Sequence, residues 1–336
     1  MSLETFYKSL ISSPGKWVLY PFSILYGMIL RLKKYLQKKT KPLAGIKVIS
    51  IGNLDFGGSG KTPLTLLLLD LLKHQPICII TRGYRSLLEH KGSTSITQDT
   101  PLKNPALEIG DEPSLFLQKH PHVPLFVGKD RLKGLKMAQK KGCQIALLDD
   151  GAQNQCVHKD IDVLLLDPDE PIKWLCPMGY RRDTLDTLKK ADFVFFPYVK
   201  TEKAYQNAAS QIKKHTQAMT VGLKANVVLE LPSQEIALLT AIAKPKRLIA
   251  QLKELGFHIK YERILNDHAY FSPSFLQEFM EKAKKKSVQN FVCTEKDFVK
   301  LPPLYQNIFI PIKLVLQPCF DLHNWETFIG KIQKIP

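Results

Sequence analysis

The stretch SIGNLDFGGSGKTPLTLLLLDLL, Ser50–Leu72, constrains the fold more than any other part of the chain. It reads as an apolar strand, a glycine-rich turn and a helix, which is the opening of a βαβ unit. The same texture recurs. IKVISIG, PICIIT, VPLFVG, QIALLDD, IDVLLLD and ADFVFFPY are short runs of β-branched and leucine residues. Continuous runs of this kind suit strands buried on both faces, hence a parallel sheet with crossover helices and an α/β class fold. Helices are expected after Lys61, Gly110, Lys129, Thr184 and Thr201, and Leu87–Ala106 is polar and turn-rich, as in a mobile loop. Near Met219 the pattern shifts. AMTVGLKANVVLELPSQEIALLTAIA reads as two or three strands with a hairpin linker. It is followed by helices from Pro245, from Ser272-Pro273 and in NWETFIGKIQKI, and by strands HIKYERIL, NFVCTE and IFIPIKLVL. A length of 336 residues fits about two domains. The expected organisation is a basic helix over 1–40, a core over 41–218 and a smaller α/β lobe over 219–336.

Charge narrows the partners. The chain carries 48 Lys+Arg against 31 Asp+Glu, a net +17, which favours a polyanionic partner: nucleic acid, an anionic membrane face or a phosphorylated substrate. The six cysteines are scattered with no CxxC pair, which speaks for buried reduced thiols and against a zinc site. At the N-terminal end, SSPGKWVLYPFSILYGMILRLKKYLQKKTK begins with a helix-start signal at Ser13-Pro14. Its apolar run, Trp17–Leu30, has 14 residues and contains Pro21, whereas a membrane-spanning helix needs about 20. No small-residue cleavage site follows it, so a signal peptide is not indicated. Lys16, Tyr20, Ser23, Gly27, Arg31 and Lys34 form one polar or small stripe on the helical wheel, and nearly everything else is bulky and apolar. With Arg31, Lys33, Lys34, Lys38, Lys39 and Lys41 beside it, this is the pattern of a helix lying in the interface of an anionic leaflet. An ordinary core helix with a solvated basic end is the plainer alternative.

The turn Asp55, Phe56, Gly57, Gly58, Ser59, Gly60, Lys61, Thr62 matches the phosphate-loop pattern GxxxxGK[ST] at its last three positions, with Asp55 in place of the leading glycine. Small residues let backbone N–H groups converge on the phosphates of ATP at a helix N-terminus. Lys61 supplies a mobile positive charge and the Thr62 hydroxyl a ligand for Mg²⁺. A carboxylate is then expected at the end of another strand. Asp149 and Asp150 close QIALLDD, where adjacent carboxylates call for a cation, although a solvated acid pair on a loop has the same sequence.

IGNLDFGGSGKTP, TRGYRS, GDEPSLF, VGKDR, LLDDGAQN, DVLLLD, AIAKPKR, NDHAYF and TEKDFVKL occur in this order. That set resembles the tetraacyldisaccharide 4'-kinase family, the lipid A kinases of Gram-negative bacteria. The resemblance implies a two-lobed P-loop kinase, with a smaller second α/β lobe completing the active site and an N-terminal amphipathic membrane helix. Such an enzyme is held monotopically on the cytoplasmic face of the inner membrane. It implies transfer of the ATP γ-phosphate to the 4'-hydroxyl of a tetraacylated glucosamine disaccharide 1-phosphate, an anionic glycolipid. It further implies Asp111 as a catalytic carboxylate with His268 as its partner, and Arg131 and Arg182 as phosphate ligands. Lys61 and Arg182 would stabilise the transferring charge. Arg82, Glu112, Arg131, Asp183 and Asp267 become candidates for the substrate side. Read without the resemblance, Asp111 is equally a helix N-cap and His268 a surface-loop histidine. Thr294, Glu295, Lys296 and Asp297 read as lobe-closing or structural.

The chain departs from the family at Ala152 and Asn154, where an aromatic and a histidine are usual, and in LCPMGYRRDT, where Asp183 replaces a glutamate. A membrane-associated P-loop NTPase switch acting on a protein is the alternative function. It would need no base for a hydroxyl. Nucleic-acid binding is disfavoured because the charge concentrates beside a greasy helix and no aromatic-basic RNA motif is present.

Overall fold

The computed structural model describes residues 11, 13–37 and 40–334. Its strands are β1 (Lys47–Asn53), β2 (Ile77–Thr81), β3 (Thr94–Ile96), β4 (Leu125–Val127), β5 (Ile145–Asp149), β6 (Ile161–Leu165), β7 (Phe193–Pro197), β8 (Met219–Val228), β9 (Glu235–Thr240), β10 (His258–Ile264), β11 (Asn290–Thr294) and β12 (Phe309–Phe320). The helices used below are α1 (Tyr20–Leu36), α2 (Lys61–Leu71), α3 (Asp111–Lys119), α4 (Arg131–Lys140), α5 (Glu202–Lys213), α6 (Pro245–Glu254), α7 (Pro273–Lys284) and α8 (Leu322–Gln333). The result is an α/β fold with mostly parallel strands flanked by helices, as the apolar runs predict.

Two compact units are formed, each from separated segments. The first takes Met1–Lys61, Gln144–Lys224 and Pro318–Pro336; the second takes Thr62–Cys143 and Ala225–Gln317. In the first, β1 lies between β5 and β6, and β6 continues to β7 and β7 to β8, all parallel. Every residue of β5, β6 and β7 is buried, which explains why these strands are apolar throughout rather than alternating. Leu164, Leu166, Val194, Phe196, Tyr205 and Ile212 are among the residues that pack α5 onto this sheet.

In the second unit β2 pairs in parallel with β4, and the short β3 runs antiparallel along β4. A further parallel set has the order β10, β9, β11, β12. Phe279 of α7 meets Phe291 and Phe309 in one apolar cluster, while Leu248 and Leu252 of α6 pack with Ile236 and Leu238 in another. The hairpin expected after Met219 is not formed. β9 is flanked on its two edges by β10 and β11, so β8 and β9 are not hairpin partners. The segment read as a mobile loop, Leu87–Ala106, contains β3 and is tied back by Leu87 N–H to the Leu107 carbonyl at 3.1 Å.

Helix α1 follows a 3₁₀ turn, Pro14–Leu19. Its buried residues are Ser23 and Gly27, members of the polar and small stripe. The Ser23 hydroxyl reaches the Leu175 carbonyl at 3.0 Å and accepts the Met178 N–H at 3.0 Å. A Cβ on Gly27 would stand 3.1 Å from Leu175 Cδ2. Tyr26 Oη donates to the Arg182 carbonyl (3.2 Å), Arg31 pairs with Asp186 (3.2 Å), and Lys34 pairs with Asp183. The greasy side points away from the protein: Phe22, Leu25, Met28, Ile29 and Leu32 are all at least half exposed. Trp174, itself 46% exposed, extends this surface with its ring 5.6 Å from that of Trp17. Lys38 and Lys39 lie outside the described residues. No helix among the described residues is long and apolar enough to cross a membrane.

Candidate active site

The glycine-rich turn joins β1 to α2. Gly57, Gly58 and Gly60 all have positive φ, the left-handed region that glycine enters without steric cost. At Gly60, with φ +84°, a Cβ would also press within 3.2 Å of Pro197. The Phe56 N–H is taken up by the Tyr180 carbonyl at 3.0 Å, which leaves the amides from Gly57 onward to shape the cradle. The Phe56 side chain is exposed. Asp55 is not a ligand donor here, because its carboxylate is buried and paired with Lys173.

Lys61 opens α2 with its Nζ 3.1 Å from Asn53 Oδ1, 3.4 Å from Ser59 Oγ and 3.5 Å from Asp150 Oδ1. Arg182 completes this cluster. Its Nη2 donates to Asn53 Oδ1 (2.6 Å) and to Asp150 Oδ1 (2.5 Å), and its Nη1 to Asp150 Oδ2 (3.2 Å), a bidentate fork. Asp150 sits at φ +51°, a left-handed conformation that aspartate tolerates better than most residues, just past the end of β5. Burial alone would raise its carboxyl pKa, but Lys61 and Arg182 outweigh burial and hold it well below the usual carboxylate range. Asp150 is thus the counter-ion of two cations. Asp149, the last residue of β5, is buried. Asn53, at the end of β1, joins Lys61 to Arg182 and was not singled out from the sequence. A polar residue closing an otherwise apolar strand was the available signal.

A second cluster gathers on α3 and on the loop after β10. His268 Nδ1 lies 2.8 Å from Asp111 Oδ2, and its Nε2 lies 3.6 Å from Asp267 Oδ2. His268 has φ +65°, and its N–H is held by the Ala241 carbonyl at 3.3 Å. Its ring stands edge-on to Tyr84, 5.4 Å between centroids. Asp111 begins α3 and is buried, and its Oδ1 accepts the Glu112 N–H at 3.0 Å. Burial pushes the Asp111 carboxyl up, but the Lys296 ammonium and the His268 hydrogen bond pull it down further, to about 2. The carboxylate is therefore ionised and can only accept. His268 Nδ1 must carry the hydrogen, and Nε2 is the nitrogen that can take a proton.

Lys296, from the run read as structural, is the cation of this cluster. Its Nζ is 3.4 Å from Glu112 Oε1, 3.7 Å from Asp111 Oδ2 and 3.9 Å from Asp267 Oδ1. Burial would lower its pKa, yet Glu112, Asp111 and Asp267 together raise it, so the ammonium stays charged. Glu112 Oε1 also accepts the Thr62 hydroxyl at 3.2 Å.

Three substrate-side candidates are placed elsewhere. Asp183 is fully buried and bonded to Lys34, to the Thr184 N–H (2.7 Å) and to the Thr187 hydroxyl (2.9 Å). It anchors α1 and presents no surface to a ligand. Arg131 is buried with its Nη1 on the Gly128 carbonyl at 2.6 Å. Arg82 pairs with Glu89 at 3.0 Å and remains half exposed. The departures in DDGAQN have structural consequences. Ala152 is buried so close to β1 that a Cβ on Gly52 would fall 2.4 Å from its own, and Asn154 Oδ1 accepts the N–H groups of Cys156 (3.0 Å) and Val157 (3.1 Å) to build a turn.

Mg²⁺ can be tested against these donors. Among the described residues no three His, Cys, Asp or Glu side chains converge as a metal cage. Magnesium at nucleotide sites does not need one, since it keeps waters and phosphate oxygens in its shell. Thr62 fits: its hydroxyl gives its hydrogen to Glu112, so its lone pairs are turned outward for a hard cation. Asp150 is already engaged by two cations and suits a counter-ion better than a ligand.

The comparisons with known proteins agree with this geometry. The family model described as tetraacyldisaccharide-1-P 4'-kinase matches residues 15–330. The tetraacyldisaccharide 4'-kinase of Aquifex aeolicus is 30% identical over 307 residues, covering 87% of this chain and 91% of the relative. That of Haemophilus influenzae is 30% identical over 331 residues, covering 95% of each. The crystal structure of an "apo" form of the Aquifex aeolicus enzyme in complex with ATP has a TM-score of 0.73 and 27% identity, over 95% of this chain and 98% of that one. With the family model spanning nearly all of its described length, the chain belongs to the tetraacyldisaccharide-1-P 4'-kinase family.

Proposed function

We propose that this protein transfers the γ-phosphate of ATP to the 4'-hydroxyl of a tetraacylated glucosamine disaccharide 1-phosphate. Family membership supports the reaction, and the observation that carries the roles is the 2.8 Å contact between Asp111 and His268. A kinase acting on a sugar alcohol must remove a proton from a weak nucleophile, and a switch that hydrolyses nucleotide has no such need.

The amides of Gly57 to Thr62 cradle the β- and γ-phosphates at the N-terminus of α2. An incoming polyphosphate competes with Asp150 for Lys61 and Arg182, so that two cations already gathered by Asn53 and Asp150 are presented to it. Both stabilise charge that spreads over the transferring group. Thr62 would hold Mg²⁺, with Glu112 behind it. Bound magnesium would neutralise phosphate charge. Asp111 keeps His268 in one tautomer and one orientation, and the pair takes up the proton of the 4'-hydroxyl. Asp267 is on hand for the acceptor.

The outward face of α1 supports attachment to a membrane surface. The helix is turned inside out relative to a soluble one, with its small and polar stripe against the protein and its apolar side exposed. Apolar side chains at this density belong in the acyl boundary of a leaflet, with Lys33 and Lys41 near anionic headgroups. The acceptor is itself an anionic lipid, so we place the enzyme on the cytoplasmic face of the inner membrane as a monotopic protein.

The test is to incubate detergent-dispersed protein with ATP, Mg²⁺ and the disaccharide 1-phosphate lipid and to follow phosphate into the lipid. Phosphate should appear at the 4'-position. Release of inorganic phosphate alone, independent of lipid, would favour the NTPase reading.

A further inference from the structure

The run Thr294–Asp297 has no part in the roles above, yet it touches His268 by two independent routes. Thr294 caps the single helical turn Glu295–Phe298, its hydroxyl oxygen accepting the Asp297 N–H at 3.1 Å. Asp297 is fully buried and accepts from Thr294 Oγ1 (2.7 Å), Thr240 Oγ1 (2.9 Å) and the Ala241 N–H (3.1 Å). The Ala241 carbonyl in turn holds the His268 N–H. This route fixes the backbone of a residue that sits at positive φ, where a non-glycine residue needs its surroundings to keep it. The second route is Lys296. Its ammonium lies within 4 Å of the carboxylates of Asp111 and Asp267, the two acids that flank the His268 ring on its Nδ1 and Nε2 sides.

We propose that Lys296 is a positioning residue for activation of the acceptor hydroxyl, tying Asp111, Glu112 and Asp267 together so that the His268 imidazole is held between the Asp111 carboxylate at Nδ1 and the Asp267 carboxylate on its Nε2 side. This inference rests on the kinase reading given above. Three carboxylates so close together repel one another unless one cation serves them all. A lysine on a rigid, capped turn does this with a compact charge and three donors. Without it, Asp111 and Asp267 would move apart, and the ring between them would lose one orientation among several. Lys296 Nζ lies 3.4–3.9 Å from the three carboxylates, and it is through these neighbours that it acts.

The experiment compares wild type, Lys296→Met and Lys296→Arg in the lipid phosphorylation assay, with affinity for a fluorescent ATP analogue measured in parallel. Lys296→Met should lose on the order of 100-fold in kcat, the lower end of what general base catalysis supplies, with nucleotide affinity unchanged. Lys296→Arg, which restores the charge with a different reach, should recover on the order of tenfold of that loss. A Lys296→Met kcat within about threefold of wild type would overturn the proposal, given that 100-fold is what loss of base positioning implies. So would a loss of nucleotide affinity that matches the loss of kcat, which marks a general structural role. If Lys296→Met has no cooperative thermal transition, Lys296→Met/Asp267→Asn, with one stranded charge fewer, is read against Asp267→Asn alone. The same loss supports the proposal and equal activity overturns it. Absence of lipid phosphorylation by the wild type would instead fail the kinase reading and is seen before any variant is made.

Discussion

His268 Nδ1 stands 2.8 Å from Asp111 Oδ2, on a carboxylate whose pKa burial raises and the Lys296 ammonium and His268 itself lower further. The pair is a carboxylate and an imidazole whose division of labour is fixed by charge. The acid stays ionised, the ring keeps its Nδ1 hydrogen, and Nε2 is the basic nitrogen. Asp111→Asn should therefore lower kcat by roughly 10²- to 10⁴-fold at unchanged affinity for ATP, the range expected when a general base system is disabled. Single-turnover phosphate transfer to lipid under saturating nucleotide checks it, and undiminished turnover would remove Asp111 from the mechanism.

The same carboxylate sets a pH dependence of folding. Its pKa is about 2 in the folded protein against about 3.9 for an unfolded aspartate, so it stabilises the fold fully above the unfolded value and loses that contribution as pH falls through the interval. At neutral pH the contribution is on the order of 2–3 kcal/mol. The gap in thermal stability between wild type and Asp111→Asn should hold from pH 7 to about 5, then narrow between about pH 4 and 2. Thermal melts over that range test this; a gap that widens on acidification contradicts it.

Lys61 and Arg182 share Asn53 and Asp150, so both act from one cluster around a single carboxylate. Lys61→Ala should cut kcat on the order of 100-fold or more, as when a preorganised donor to transition-state charge is lost. Arg182→Ala should behave similarly, and the double variant should lose much less than the product of the two, because both act through one cluster. Measuring the three variants as a cycle decides this. Additive losses would mean that the two cations work separately.

The two faces of α1 should respond to substitution in opposite ways. Leu25→Glu with Ile29→Glu places charge on the exposed side, with folding stability altered by no more than about 0.5 kcal/mol per site. Membrane sedimentation of this protein should fall while its thermal transition stays in place. Lys34→Met strands the fully buried Asp183 without its cation and should cost about 3–5 kcal/mol. Vesicle flotation and thermal melts of the two proteins separate attachment from folding; if Leu25→Glu/Ile29→Glu floats with vesicles as well as wild type, the exposed side is not the membrane contact.

Features governed by local chemistry were readable in the sequence. The apolar runs of β1, β2, β5, β6 and β7, the cap residues Thr201 and Ser272, and the glycine turn before Lys61 each carry their own signal and lie where the patterns put them. Pairings between distant segments were harder. β9 was taken for a hairpin partner of β8 because the two are neighbours in sequence, but its apolar residues satisfy β10 and β11. At the site, Asp111 and His268 could be named only through resemblance, since 157 positions separate them and neither has a local partner that marks it. Lys296 reads from sequence as lobe-closing or structural for the same reason: nothing local to a lysine at a strand end announces the three acids around it. Asp183 erred in the other direction. A charged residue beside Arg182 invited a ligand role, and only its burial against Lys34 shows what it holds.

Helix α1 also determines which of its positions can drift. On the side that looks outward, one greasy residue serves as well as another of similar bulk, because a fluid of acyl chains imposes no lock-and-key shape. Ile24, Leu25 and Met28 should be interchangeable among themselves. Ser23 and Gly27 have no such latitude. One carries a hydroxyl that closes two hydrogen bonds, and the other leaves 3.1 Å where a methyl group would meet a leucine. Specificity in this helix resides in its smallest residues, and its largest are fungible.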